Sequence, residues 1–103
     1  MIGDLFSKLM EARQKIEEAK KQLNNIYAEA SVENGAICVK ANANKSICSI
    51  KISGDWLKTN SIESLEELLA HTSNRALEDA ALKGEVEMKK ITRDMLPNFP
   101  GLI

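Results

Sequence analysis

Five basic side chains, Lys8, Arg13, Lys15, Lys20 and Lys21, lie close together near the start of the chain. The chemistry open to them is non-covalent. Ammonium and guanidinium groups spaced along a rod can neutralise a row of phosphates. Duplex DNA offers about one negative charge per 1.7 Å of axis, and cations that displace its condensed counterions bind with little regard to sequence. Lys40, Lys45 and Lys51 are further candidates for the same contacts. The competing reading is internal. Glu63, Glu66, Glu78 and Glu85 occur later in the chain and could pair with these bases, or water could solvate them.

No other grouping offers chemistry. His71 is the sole histidine, and at helical spacing its neighbours are Glu67 and Arg75, so it reads as a solvated surface residue. Cys38 and Cys48 have neither metal-ligand spacing nor the density of a disulfide scaffold. Gly3, Gly35, Gly54, Gly84 and Gly101 are isolated, so no glycine-rich phosphate loop exists. No Ser/His/Asp or Cys/His set can be drawn. The expectation is a protein without catalytic residues, metal, cofactor or small-molecule substrate.

The basic residues must be positioned by the helix that carries them. Leu5, Leu9, Ala12, Ile16, Ala19, Leu23 and Ile26 recur at alternating steps of four and three, which predicts a helix over residues 4–26 with an apolar heptad seam. Lys8 and Lys15 flank the seam on one side, Arg13 and Lys20 on the other. Two such helices zipped together would set like charges face to face, so the seam is expected to meet something else.

Residues 27–53 alternate as three strands. Asn34-Gly35 is a tight-turn pair, since both residues tolerate positive φ. A two-residue turn there sets Val32 opposite Ile37 and Ala30 opposite Val39. A second two-residue turn at Ala43-Asn44 would set Val39 opposite Cys48 and Ile37 opposite Ile50. Both hairpins then place their apolar residues on one face. That register puts Ile47 on the other face, with Tyr27, Glu29, Cys38, Lys40, Lys45 and Lys51, and puts Cys38 and Cys48 on opposite faces. Gly54-Asp55-Trp56-Leu57 is expected to close the sheet, with Trp56 capping the core and a ligand-stacking role as the alternative. A second helical region, residues 61–95, opens near Ser61 or at a Ser64 capping box. Ile62, Leu65, Leu69, Thr72, Ser73, Ala76 and Ala80 share one of its faces, and Gly84 is expected to bend or thin it. Pro97 ends it, leaving residues 96–103 as a tail.

Over the whole chain of 103 residues the formal charge is −1, so no bulk basic signal is present. Residues 61–103 are acidic as a block. The length suits a single domain over residues 1–103, small enough to gain from dimerisation. No run is long and apolar enough to span a membrane and no secretory leader is visible, so a cytoplasmic location is expected.

The order helix, three-stranded meander, long helix and proline-containing tail resembles the YbaB/EbfC family of nucleoid-associated proteins. The residues that carry the resemblance are Asn34 to Lys40, Ile50-Lys51-Ile52 running into Asp55-Trp56-Leu57, Leu65 to Leu69 with Ser73 to Leu77, and Leu96-Pro97 with Phe99. In that family the second strand-to-strand turn usually ends in glycine, whereas Asn42-Ala43-Asn44-Lys45 has none. The resemblance implies an α+β, α-β-β-β-α homodimer that binds double-stranded DNA in the nucleoid with little sequence preference. It makes residues 4–26 an arm, with Lys8, Arg13, Lys15, Lys20, Lys21, Lys40, Lys45 and Lys51 as DNA contacts. The rival expectation is a dimeric protein-binding module, similar to small secretion chaperones, whose exposed seam grips a partner segment.

Overall fold

A computed structural model describes residues 2–95. The tail expected at residues 96–103, with its Pro97 stop, lies outside them. Helix α1 (Ile2–Gln22) leads through a single 3-10 turn at Leu23–Asn25 into strand β1 (Tyr27–Val32). Strands β2 (Ile37–Asn42) and β3 (Ile47–Ile52), a short helix α2 (Gly54–Thr59) and the long helix α3 (Ile62–Met95) follow. The α-β-β-β-α order is as expected, with α2 as an addition.

The sheet is an antiparallel meander in the order β1-β2-β3. Its first hairpin has the expected register, Val32 opposite Ile37 and Ala30 opposite Val39. Asn34 (φ 56°) and Gly35 (φ 87°) are both left-handed, and the Ala36 N–H closes the turn on the Glu33 carbonyl at 3.1 Å.

The second hairpin differs. Val39 faces Ile50 and Ile37 faces Ile52, two residues away from the expected partners. The cause is the Asn42 side chain. Its Oδ1 accepts from the Asn44 N–H at 2.9 Å and the Ser46 N–H at 3.2 Å, which widens the loop to three residues, Ala43-Asn44-Lys45. Lys45 takes the left-handed conformation (φ 63°) that such a loop requires at its last position. A bulge follows. Lys40 faces Ser49 but Ala41 faces Ile47, with Cys48 the extra residue. The wider loop brings Ile47 to the core side, against expectation, and the bulge restores Ile50 and Ile52 to it.

One face of the sheet carries α3. Ala28, Ala30, Val39, Ala41, Ala76 and Ala80 form the buried cluster, with Leu69 and Leu77 packed beside it. Small side chains at four-residue intervals let the helix lie close to the strands. Thr72 is fully buried within this face, and its hydroxyl donates to the Leu68 carbonyl at 2.6 Å, so burying it leaves no unmet bond. The helix covers β1 and β2 and leaves β3 almost bare.

The segment expected to close the sheet instead turns into α2, capped where the Trp56 N–H donates to Ser53 Oγ at 3.4 Å. Ser61 caps α3, since its Oγ accepts from the Ser64 N–H at 3.1 Å. Ile62, expected on the packed face, is 69% exposed because α3 has not yet reached the sheet there.

Gly84 does not bend α3, which runs unbroken for 34 residues. Its role is close approach. A Cβ there would sit 2.7 Å from the Ala43 Cβ and 3.1 Å from Leu23 Cδ2. So α3, the β2–β3 loop and the end of α1 meet at a point with no room for a methyl group. Beyond that point α1 and the last turns of α3 project together from the sheet, and the molecule measures 70 × 22 × 17 Å.

Candidate nucleic-acid interface

The projecting pair is rooted by a network of asparagines. Asn44 Nδ2 donates to Asn24 Oδ1 at 2.8 Å, and Asn42 Nδ2 to the Asn24 carbonyl at 3.5 Å. The Ala43 N–H donates to the Ile26 carbonyl at 2.8 Å. Lys83 Nζ reaches across from α3 to the Tyr27 carbonyl at 3.0 Å. These bonds fix the 3-10 turn to the β2–β3 loop and so set the direction in which α1 leaves the sheet.

Along α1 the apolar seam is packed at the root and bare at the tip. Ala19 is buried, Ala12, Ile16, Leu23 and Ile26 are half-buried, and Leu5 and Leu9 are exposed. Ala19, Leu23 and Ile26 face Val86, Met88 and Ile91 across a groove of about 570 Å³. The seam therefore meets α3 over its inner half.

All five α1 bases, Lys8, Arg13, Lys15, Lys20 and Lys21, are exposed. The internal pairing weighed above does not occur. Among the described residues the side-chain ion pairs are Lys20–Glu17 at 3.6 Å, Lys58–Asp55 at 3.7 Å and Lys90–Glu87 at 3.5 Å, each within a single helix. None joins α1 to Glu63, Glu66, Glu78 or Glu85. Exposed pairs of this kind hold their partners weakly.

The three sheet lysines are placed differently. Lys40 is half-buried, with its Nζ 4.4 Å from the centre of the Tyr27 ring. Lys51 sits opposite Cys38, on the face away from α3. Lys45 is exposed in the loop at the root of the arm. So five of the eight candidate bases share one rod, one stands at its root and two belong to the open face of the sheet.

A second set of bases was missed. Lys83, Lys89, Lys90 and Arg93 all lie on the projecting end of α3, beside α1. Taken as a block, residues 61–103 are acidic, but the fold divides that block. Glu63, Glu66, Glu67, Glu78 and Asp79 stay with the sheet. Residues 2–22 and 83–95 together hold nine bases and seven acids, and all other residues hold five bases and eight acids. The projecting half is thus net positive and the sheet half net negative. The signal was present in the sequence as Lys89-Lys90 and Arg93, a basic close to a long helix.

Residues 1–95 match the sequence profile of the YbaB/EbfC DNA-binding family. A nucleoid-associated protein of Flavobacterium johnsoniae is 32% identical over 98 residues, covering 95% of this chain and 91% of that one. One of Clostridium novyi is 33% identical over 101 residues, covering 98% and 87%. The crystal structure of an uncharacterized protein from Helicobacter pylori has the same fold, with a TM-score of 0.66 at 14% identity, over 93% of this chain and 97% of that one.

Proposed function

This chain belongs to the YbaB/EbfC DNA-binding family, and from that premise we propose that it is a nucleoid DNA-binding protein. Its projecting helices hold duplex DNA by the phosphate backbone, and two copies act together. The observation that carries the reading is the division of charge along the molecule. The positive excess is confined to the end that projects, and among the described residues its α1 bases have no ion pair with an acid of α3. Lys8, Arg13, Lys15, Lys20 and Lys21 make the main contacts. Lys45 adds one at the root, and Lys40 and Lys51 contribute where a duplex passes the open face of the sheet. Such contacts set orientation and affinity without reading bases. No catalytic step is assigned to the protein.

Two copies are required because the sheet is left half-dressed. Ile47 and Ile50 on β3 are each 44% exposed, Leu57 on α2 is 42% exposed and Ile62 on α3 is 69% exposed. An edge strand with apolar side chains and unpaired backbone groups is a ready surface for a second chain. Homodimerisation through this side leaves both arms free.

The test is a salt titration of DNA binding on unrelated duplexes. Each phosphate contact contributes about 0.9 to the slope of log affinity against log salt. Lys15→Gln, Lys20→Gln and Lys21→Gln combined remove six contacts from a two-armed dimer and are expected to lower the slope by about 5 and weaken binding equally on every duplex. Unchanged retention at low salt would remove these residues from the interface. A partner peptide held in high salt, with no DNA retention, would instead favour the protein-binding module.

A further inference from the structure

The tip of α1 is apolar and uncovered. Leu5 is 58% exposed, Phe6 63%, Leu9 61% and Met10 51%. Four neighbouring large apolar side chains at such exposure are unusual on a soluble helix. Leu5 and Leu9 continue the seam, while Phe6 and Met10 stand about 100° further round the helix. Counted at about 100° per residue, the packed residues Ala12, Ile16, Ala19 and Leu23 centre about 80° around the helix from the tip group.

What shares the tip's direction is charge. On the same count Arg13 and Lys20 lie within about 40° of Leu9, Lys8 borders the apolar group, and Glu17 falls in line with Phe6 and Met10. Lys20 is paired with Glu17, while Arg13 has no ion pair among the described residues. The surface that covers this patch must therefore be apolar at its centre and anionic at its edge. A stacked base step between two phosphate strands has that character. A partner helix meets the same description only when acids flank its apolar face.

We propose that the arm tip is a wedge. Phe6 and Met10, backed by Leu5 and Leu9, enter between unstacked base pairs while Arg13 and Lys8 hold the flanking phosphates. The proposal rests on the DNA-binding reading above and adds deformation to it. Apolar side chains that enter a base step kink the duplex, and the cost is offset by the wider contact the bent duplex makes. In a two-armed dimer each arm would place one kink.

The experiment uses the full chain and a duplex of roughly 30 bp, labelled at both ends for energy transfer, long enough to report a kink of about 40° or more. A second duplex carries a fluorescent base analogue that brightens on unstacking. The wild-type protein is expected to shorten the end-to-end distance and brighten the analogue. Phe6→Ser with Met10→Ser should abolish both signals and keep the salt slope of binding, with helix content checked by circular dichroism. Phe6→Trp, which retains a flat ring, should preserve them. Binding without bending by the wild type would overturn the wedge and leave the phosphate-binding reading intact. Bending that survives the double serine substitution would also overturn it. So would a double variant whose oligomeric mass falls, since the patch would then be a protein contact. Absence of any DNA retention at low salt would sink both readings.

Discussion

Lys45 shows what a single residue can cost its own fold. Its left-handed φ of 63° closes the β2–β3 loop, where glycine would fit without strain. A left-handed non-glycine residue costs about 1–2 kcal/mol, and glycine gives back about 0.5–1 kcal/mol as extra freedom of the unfolded chain. Lys45→Gly is therefore expected to stabilise the fold by about 0.5–1 kcal/mol in urea denaturation, whereas Lys45→Ala, equally strained, brings no such gain. If the lysine is retained for its charge at the root of the arm, the stabler glycine variant should also bind DNA with a salt slope lower by about 2 for a dimer that uses both copies. Sequence could show that this turn lacks glycine. It could not show which residue would carry the positive φ, because that depends on loop length, and Asn42 Oδ1 sets the loop length by bonding two backbone N–H groups.

The elements themselves were largely legible, for reasons that differ from one to the next. Five seam residues from Leu5 to Ala19 mark α1, which ends at Gln22, short of the expected Ile26, because Asn24 and Asn25 tighten the chain into a 3-10 turn, and Asn34-Gly35 marks the first hairpin. The second hairpin slipped by two residues, one from the three-residue loop and one from the bulge, which together keep Ile50 and Ile52 on their face and so leave no mark on the periodicity. The bulge at Cys48 was invisible for the same reason. Gly84 was visible as a residue but not as a contact. Its meaning comes from Ala43, which lies far away in sequence and 2.7 Å from where its methyl group would be. Gly84→Ala should gain about 0.8–1 kcal/mol of helix propensity and lose about 1–3 kcal/mol to overpacking, for a net loss measurable by thermal denaturation. Combining it with Ala43→Gly should recover much of that loss, and the double-mutant cycle should show a coupling of about 1 kcal/mol or more. Asn24→Ala removes the side-chain acceptor of Asn44 Nδ2 while keeping the backbone carbonyl that Asn42 meets, and should increase amide exchange at the start of β1 more than in β2.

At the scale of the molecule, size and shape are at odds. The Cα radius of gyration is 19.8 Å, against about 13 Å for a compact chain of this length. The interior is correspondingly thin. The largest fully buried side chains are Ile37, Val39 and Thr72, and the packed cluster is mostly alanine. Each buried methylene contributes about 0.8 kcal/mol, so an alanine core yields little, and the exposed apolar side of β3 and α2 is the main reserve. Folding and dimerisation are therefore expected to be coupled, with a melting temperature that rises with protein concentration. Ile50→Lys should convert the dimer to a less stable monomer in sedimentation or mass measurements and reduce DNA retention, although Ile50 lies on the sheet and not on an arm. A monomeric wild type with a concentration-independent melting temperature would contradict the dimer.

The unbroken course of α3 through Gly84 has a mechanical consequence. One rod is both the roof of the sheet and a strut of the arm, so a load applied at the tip reaches the alanine-lined contact as torque. The fulcrum is the Gly84–Ala43 contact, where the missing methyl group lets the two backbones touch. A lever seated this closely has little play. The stiffness with which the arms resist a tensioned duplex would then be governed at that joint, far from any side chain that meets a phosphate.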